Sequence, residues 1–381
     1  MMKTNKKLKV ATVFSGIGAP EQALRRMVID YEIVFACDNG EVEIDYDLEF
    51  EKKQLSTIDG PILKKMYVDD LYRSKTRRTN FVKKSYLANY DIDENYYFQD
   101  IRLLDGSDFR GKVDLLVGGS PCQSFSTVGY QGGLEDTRGT LFYDYAKLIR
   151  DVKPKVFIYE NVRGLFTHDK GKTWATIKNV FDDLGYNISF ELLNAADYGI
   201  PQTRRRVFVV GIRKDLALRK ELHFPPEKKR LKFFMQDVLL SATKFGNYRS
   251  IKGKMCIDKE PGFVDPKYIL TPKLEAYVMK SGTKNFYQKV EIDKPVARTI
   301  LKTMGNRHRA GVDNYVTDLG PTNIRMLTER EAHRLMGFPD DYKIIVSRAQ
   351  GYKQAGNSIV VDVLIAIFEE VFKTGVFDTS F

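Results

Sequence analysis

The sequence predicts an α/β protein: a doubly wound, mostly parallel sheet followed by a second, smaller, irregular and β-leaning domain. Three observations carry this. Short apolar runs alternate with helical patterns through the first half, a glycine loop follows the first run, and the alternation stops near Leu231. At 381 residues the chain exceeds what one core usually supports, while 43% apolar and 12% aromatic residues supply enough material for a real one.

Leu8 to Phe14 reads as a buried strand, followed by Ser15-Gly16-Ile17-Gly18 and a helix from about Pro20 to Val28. Ile33 to Cys37 reads as the second strand, and Val113 to Val117 as the third, closed by Gly118-Gly119. Val156 to Tyr159 and Val207 to Ile212 are two more. In such sheets ligands bind beyond the carboxyl ends of the strands, so the residues just after each strand carry the functional information. Beyond Leu231 the chain is rich in Gly, Pro, Tyr and Lys. Helical periodicity returns at Thr328 to Met336 and at Ile359 to Phe372. The last segment is apolar almost all round and is expected to pack in a core, returning to cover the N-terminal sheet. The expected division is a domain of residues 1–234, joined again by 355–381, and a domain of residues 235–354.

Sixty-one Lys and Arg against 50 Asp and Glu give a formal charge of +11. The excess clusters in Arg73 to Lys84, Arg213 to Lys232 and Ala297 to Gly311. Each run alone reads as a solvated face, but two of the three flank or lie in the irregular domain, which makes nucleic acid the leading partner. No apolar run approaches the ~18 residues of a membrane span. Cys37, Cys122 and Cys256 are widely spaced without a C-x-x-C. This excludes a disulfide scaffold and a cysteine-rich zinc module and fits a reducing cytosol. Only four histidines are present, and no metal site is expected.

Phe14-Ser15-Gly16-Ile17-Gly18 lets the chain turn sharply and lets a ligand approach the backbone. It is neither a full G-x-G-x-x-G, because position 21 is Glu, nor a Walker A loop. Asp38, closing the second strand, stands where an acid meets a ribose hydroxyl, and Asp100-Ile101 could meet an adenine. On their own both acids read rather as surface or helix-capping carboxylates. Gly118-Gly119-Ser120-Pro121-Cys122-Gln123-Ser124-Phe125-Ser126 sets a cysteine at the ligand-binding edge of the sheet, after a proline that fixes its backbone. A thiolate there reads as a nucleophile.

Pro121-Cys122-Gln123, the Phe14 to Gly18 loop, Glu160-Asn161-Val162, Gln202-Thr203-Arg204-Arg205-Arg206 and Gly356-Asn357-Ser358 occur in one order along the chain. On these motifs the chain resembles a DNA (cytosine-5) methyltransferase of the bacterial restriction–modification type. The resemblance runs from residue 10 to about 370 and leaves the irregular domain and Glu43 to Asn95 unmatched.

The resemblance implies a Rossmann-like fold that uses S-adenosyl-L-methionine. It assigns Phe14, Gly16, Ile17 and Gly18 to the cofactor loop, Asp38 and Asn39 to the ribose, and Asp100 and Ile101 to the adenine. Pro121, Leu141, Asn357 and Ser358 match further cofactor contacts. Many relatives carry an aromatic residue where this chain has Asn39, which puts stacking on that side of the adenine in doubt. Cys122 matches the nucleophile that attacks C6 of cytosine, Glu160 the acid at N3, Arg204 a residue that contacts the base, and Arg206 its neighbour in support. The target base is expected to flip out of duplex DNA, with the loop from Gln123 to Arg138 closing over it.

Ser124, Ser126 and Arg138 are candidate phosphate contacts; Arg298, Lys302, Asn306, Arg307 and Arg309 are candidates for base edges or phosphates. The Glu43 to Asn95 stretch is either an added DNA-backbone contact or a solvated helical excursion, with the DNA reading preferred. A partner restriction endonuclease, a cytosolic location and monomeric action complete the expectation. The rivals are an RNA cytosine-5 methyltransferase, an NAD-binding oxidoreductase, and an inactive DNA-binding module.

Overall fold

The computed structural model describes residues 7–121, 141–226, 231, 233–242, 247–251, 254–258, 262–280, 282–283, 286–287, 290–306, 308 and 311–378. Seven strands form one sheet: β1 (Leu8–Val13), β2 (Tyr31–Cys37), β3 (Tyr97–Phe98), β4 (Leu115–Gly118), β5 (Val156–Val162), β6 (Tyr186–Asn194) and β7 (Arg205–Arg213). Their order is β3-β2-β1-β4-β5-β7-β6. The first five run parallel, while β7 lies antiparallel between β5 and β6. The expected doubly wound, mostly parallel sheet is therefore present. The chain reverses direction across the sheet between β1 and β4, the switch point where such folds open a ligand crevice.

The apolar runs alternate faces with the period of two that a strand imposes. Val156 and Ile158 of β5 join one core cluster and Phe157 and Tyr159 the other. The first cluster is covered by α1 (Ala19–Arg26) and α10 (Val361–Lys373), the second by α5 (Leu141–Val152) and α6 (Lys172–Asp183). Helix α1 carries Pro20 and Glu21 in its first turn and ends on Arg25 and Arg26, an order that suits the helix dipole. Helix α10 buries Val361, Val363, Leu364, Ala366, Ile367, Phe368 and Val371, and so returns to the sheet as its composition predicts. Arg26 fixes it there, donating to both carboxylate oxygens of Asp362 at 2.7 and 2.9 Å and to the Gly337 carbonyl at 3.0 Å.

The stretch between β2 and β3 is helical: α2 (Leu48–Leu55), α3 (Pro61–Lys75) and α4 (Phe81–Asn89), with Asp47 capping α2 and Asn80 capping α4. The later part of the chain holds α7 (Pro272–Val278), α8 (Glu329–Arg334) and α9 (Arg348–Asn357). Among the described residues its strands form three short antiparallel pairs: β8 (Asn247–Ile251) with β9 (Lys254–Asp258), β10 (Gly282–Thr283) with β11 (Phe286–Tyr287), and β12 (Tyr315–Val316) with β13 (Arg325–Met326). Buried Arg325 is held by Asp318 and Glu331, and Glu331 also closes a capping box with Thr328 at the start of α8. The expected boundary at 354/355 falls inside α9, and Leu335, Met336 and Phe338 bury in the same cluster as α1 and α10. Among the described residues no helix is long and apolar enough to cross a membrane.

Replacing Arg26 with Met strands the Asp362 carboxylate against the α1–α10 contact. Urea denaturation should show a loss of about 3–5 kcal/mol, the range for breaking a buried ion pair by removing one partner.

Candidate active site

The loops that leave β1 and β4 meet at the switch point. After β1 the backbone turns through left-handed conformations at Phe14 (φ 51°), Gly16 (φ 54°) and Gly18 (φ 76°). Ser15 ties this turn to β2 through its hydroxyl, which donates to carbonyls of Thr12 and Cys37 and accepts from the Cys37 N–H. A Cβ on Gly18 would lie 2.1 Å from the Tyr90 ring, so only glycine fits there. A Cβ on Gly16 would meet nothing closer than the Phe14 carbonyl at 3.9 Å. That open side is a place where a ligand can approach the backbone. Ile17 is buried beneath the turn.

Asp38 closes β2 beside this loop. Its carboxylate accepts the Gly16 N–H at 2.8 Å and the Gly40 N–H at 2.7 Å, while burial raises its pKa. Asn39 turns its side chain to the Glu41 N–H and offers no ring. Asp100, after β3, is buried and takes five donors: the Arg102 N–H, Nε and Nη2, and the hydroxyls of Tyr46 and Tyr72. Those partners hold its carboxyl below the usual range despite desolvation. Ile101 is buried beside it, and Leu141 starts α5 half-buried.

The ends of β4 and β5 approach as closely as a backbone allows. A Cβ on Gly118 would lie 2.7 Å from Val13 Cγ2, and one on Gly119 would lie 2.7 Å from the Glu160 carbonyl and 3.1 Å from its Oε2. Asn161 then pins the exit of β4, donating from Nδ2 to the Ser120 carbonyl at 3.1 Å and to the Tyr159 hydroxyl at 2.7 Å. Pro121 follows directly. Glu160 lies within β5, one residue beyond the strand end that the sequence predicts, because β7 continues to pair with β5 as far as Val162 opposite Arg206.

That register decides the two arginines. Arg206 Nε lies 3.1 Å from Glu160 Oε1. Burial raises the Glu160 pKa, and the two arginines oppose the rise, Arg206 more strongly. Arg204, by contrast, is buried and donates to the carbonyls of Ile300 at 3.1 Å, Gly356 at 2.9 Å and Ser358 at 2.8 Å. Burial, aided by neighbouring Arg206, brings its pKa down to about 9. Of the two arginines, Arg206 is thus the one paired with Glu160, and Arg204 is bound to backbone carbonyls. Alternation along β7 turns 204 and 206 to one side, but only 206 reaches Glu160; 204 sits one turnover earlier, where two other segments converge.

Those segments are built to converge. Gly356 has no room for a side chain, since a Cβ would lie 2.2 Å from the Lys302 backbone nitrogen. Gln202 accepts the Ile300 N–H and donates to the Leu335 carbonyl, bridging the same parts of the chain. Ser358 is buried, while Asn357 is exposed and donates to Glu41 Oε1 at 3.0 Å. Lys302 and Lys353 also pair with Glu41, at 3.2 and 2.8 Å. Arg298 donates to the Glu291 carbonyl and carboxylate and to the Asp313 carbonyl. Asn306 is exposed. Cys122, Ser124, Ser126, Arg138, Arg307 and Arg309 lie outside the described residues.

The family profile for "C-5 cytosine-specific DNA methylase" matches residues 73–373. The chain belongs to this family. The methylase is 36% identical over 303 residues to "Type II methyltransferase M.SsoII" of Shigella sonnei, covering 77% of this chain and 72% of the relative. It is 37% identical over 254 residues to "Type II methyltransferase M.HhaI" of Haemophilus parahaemolyticus, covering 66% of this chain and 73% of that one. "Orphan methyltransferase M.SPRI" of Bacillus phage SPR is 28% identical over 97% of this chain and 98% of its own. The fold also matches that of S. pombe Dnmt2 methyltransferase, with a TM-score of 0.65 at 17% identity over 96% of this chain and 98% of that chain. The methylase is thus a DNA (cytosine-5) methyltransferase, as its motifs led one to expect. Among its described residues no group of three or more His, Cys, Asp or Glu is placed to hold a metal ion.

Sequence reading missed three residues of the methylase site. Glu41, which gathers Asn357, Lys302 and Lys353, has no local signature. Tyr46 and Tyr72 belong to a stretch that has no counterpart in the motif pattern, and only the fold brings them to Asp100.

The two arginines should separate by experiment. Arg206→Met removes the cation that opposes burial at Glu160, so the carboxyl stays protonated to higher pH. Methyl transfer should fall about 100-fold, within the range for lost general acid–base help, and the alkaline limb of the residual activity should move upward. Arg204→Met strands three carbonyls and should instead lower stability by about 3 kcal/mol or more, read by thermal unfolding.

Proposed function

We propose that the methylase transfers a methyl group from S-adenosyl-L-methionine to C5 of a cytosine flipped out of duplex DNA, through a covalent bond between Cys122 and C6. The observation that carries this is the Glu160–Arg206 pair, 3.1 Å apart and packed on Gly119, three residues before Cys122. It joins a proton donor and a fixed cation at the mouth of the nucleophile's loop.

C5 of cytosine is a weak nucleophile. The Cys122 thiolate donates its electron pair to C6, and the C5=C6 pair moves into the ring. Glu160 relieves that charge by giving a proton at N3, which its raised pKa favours. Arg206 takes the base-contacting role and Arg204 the supporting one. When bound, S-adenosyl-L-methionine supplies an electrophilic methyl carbon on a sulfonium sulfur. The open side of Gly16 and the Asp38 carboxylate fit such a group, with Phe14, Ile17, Gly18, Asn39, Ile101, Pro121, Leu141, Asn357 and Ser358 around it. C5 takes the methyl carbon as its bond to the sulfonium sulfur breaks, leaving the thioether S-adenosyl-L-homocysteine; N3 returns its proton to Glu160, a base removes the C5 proton, the C5=C6 bond re-forms, and Cys122 leaves with its pair.

The base inside a duplex is out of the thiolate's reach, so the target must leave the stack. Ser124, Ser126 and Arg138 would hold phosphates around the extruded nucleotide, and Lys302, Arg307 and Arg309 would face the duplex. Residues 235 to about 347 form the recognition region in this reading. The methylase acts as a monomer in the cytosol and protects host DNA from a partner endonuclease.

Cys122→Ala should abolish tritium transfer from labelled S-adenosyl-L-methionine to duplex DNA while keeping duplex affinity within about two-fold of wild type; substantial turnover would refute the assignment. The log of the affinity should also fall linearly with the log of salt concentration, by about 0.9 per phosphate contacted. Bisulfite sequencing of DNA from cells expressing the methylase reads out the target site.

A further inference from the structure

The stretch between β2 and β3 touches the glycine loop, the ribose acid and the adenine acid. At the glycine loop, the Tyr90 hydroxyl donates to the carbonyls of Ile17 at 3.1 Å and Gly18 at 2.7 Å, and its ring fills the space that Gly18 leaves. Beneath the loop, the Tyr86 hydroxyl donates to Glu21 Oε1 at 2.5 Å, an oxygen that also takes the Thr12 hydroxyl at 2.8 Å. At the ribose acid, Asn80 Nδ2 donates to the Asp38 carbonyl at 2.8 Å, and a Cβ on Gly40 would lie 2.2 Å from Asn80 Oδ1. At the adenine acid, Tyr46 and Tyr72 donate to Asp100 Oδ2 at 2.7 and 3.0 Å.

Five side chains from one inserted stretch thus meet three separate strand-end loops. Four of them are tyrosines, whose rings pack while their hydroxyls donate. The basic run within the stretch points elsewhere. Lys75, Arg77, Arg78 and Lys84 are exposed, Arg73 pairs with Asp70, and Lys83 pairs with Glu94. None of the six is among the contacts to the cofactor loops.

We infer that residues 43–95 form a wall of the cofactor site, with Tyr46 and Tyr72 as positioning residues that hold the Asp100 carboxylate for the adenine end of S-adenosyl-L-methionine. This rests on the assignment of that molecule as methyl donor. It replaces the reading of the stretch as an added DNA contact. The two hydroxyls and the Arg102 Nη2 meet Oδ2, while the Arg102 N–H and Nε meet Oδ1, so both carboxylate oxygens are held and the hydroxyls bear on one of them. The carboxylate is therefore locked in orientation, and an arriving adenine amino group shares an acceptor whose place is already fixed. Without the hydroxyls the carboxylate keeps only Arg102, which sits on its own turn and moves with it. The wall also reaches the later part of the chain, through Ser85 to Gln354 at 3.0 Å and Asn89 to the Lys343 backbone at 2.7 and 3.0 Å.

The test is calorimetry of S-adenosyl-L-methionine binding to the full chain, paired with fluorescence anisotropy of a labelled duplex. The variants are Tyr46→Phe, Tyr46→Phe/Tyr72→Phe, and Lys75→Ala/Arg77→Ala/Arg78→Ala/Lys84→Ala. The double Phe variant should bind S-adenosyl-L-methionine about ten-fold more weakly, as expected for lost hydrogen bonds to a charged group. It should raise KM for that substrate with kcat near wild type, and leave duplex affinity within two-fold. Tyr46→Phe alone should move the same way by a smaller factor, and the four-alanine variant should leave both affinities unchanged. Equal binding by wild type and the double variant would overturn the inference alone. A fall in duplex affinity and salt slope in the four-alanine variant, with unchanged cofactor binding in the double Phe variant, would restore the DNA reading. No binding by the wild type would overturn the donor assignment and this inference together.

Discussion

The close approach of β4 and β5 at their carboxyl ends is the constraint on which the active site depends. Gly119 lies so near the Glu160 carbonyl that no side chain fits between them. The glycine is there for contact rather than for a positive φ. That contact brings the acid on β5 over the start of the loop that carries Cys122. Asn161 locks the arrangement by bonding both the Ser120 carbonyl and the Tyr159 hydroxyl. Substitution at 119 would push the two strands apart and misplace acid and nucleophile together, and misplacements of that size cost catalysis steeply.

A second constraint joins the sheet to the later part of the chain. Arg204 is a buried cation without a carboxylate partner among the described residues; its charge is dispersed over three backbone carbonyls from two segments. Its lowered pKa registers the cost of that burial. The gain is geometric: one planar guanidinium fixes the ends of β7, the Ile300 segment and α9 relative to each other. Arg206, two residues on, then projects to Glu160 from a braced strand. The pair of arginines divides the work between holding the frame and facing the chemistry.

The parts legible in the sequence were those governed by local rules. The buried strands announced themselves as apolar runs, and α10 as a segment apolar almost all round. The glycine loop, Asp38 and Pro121 sit just past strand ends, where a doubly wound sheet exposes its loops, whereas Glu160 lies within β5 and Gly356-Asn357 close α9. β6 escaped because it is an edge strand whose burial does not alternate cleanly, and β3 because two residues carry no periodicity. α9 escaped because its Gly351 and Gly356 read as loop, although Gly356 serves a backbone contact. The different surroundings of Arg204 and Arg206 were not legible because both belong to one motif and only the β5–β7 register tells them apart. The use of the 43–95 stretch was invisible for a related reason: its tyrosines act on residues brought near by the sheet.

The central claim is that a cysteine beside the Glu160–Arg206 pair forms a bond to C6 of the target base. Duplex DNA with 5-fluorocytosine at the target position tests this directly, because fluorine at C5 leaves no proton to remove and the adduct cannot collapse. Incubation with S-adenosyl-L-methionine, digestion and mass spectrometry should yield one peptide, containing Cys122, that carries the methylated fluorocytosine. A reaction that leaves no adduct, or an adduct on Cys37 or Cys256, would contradict the account.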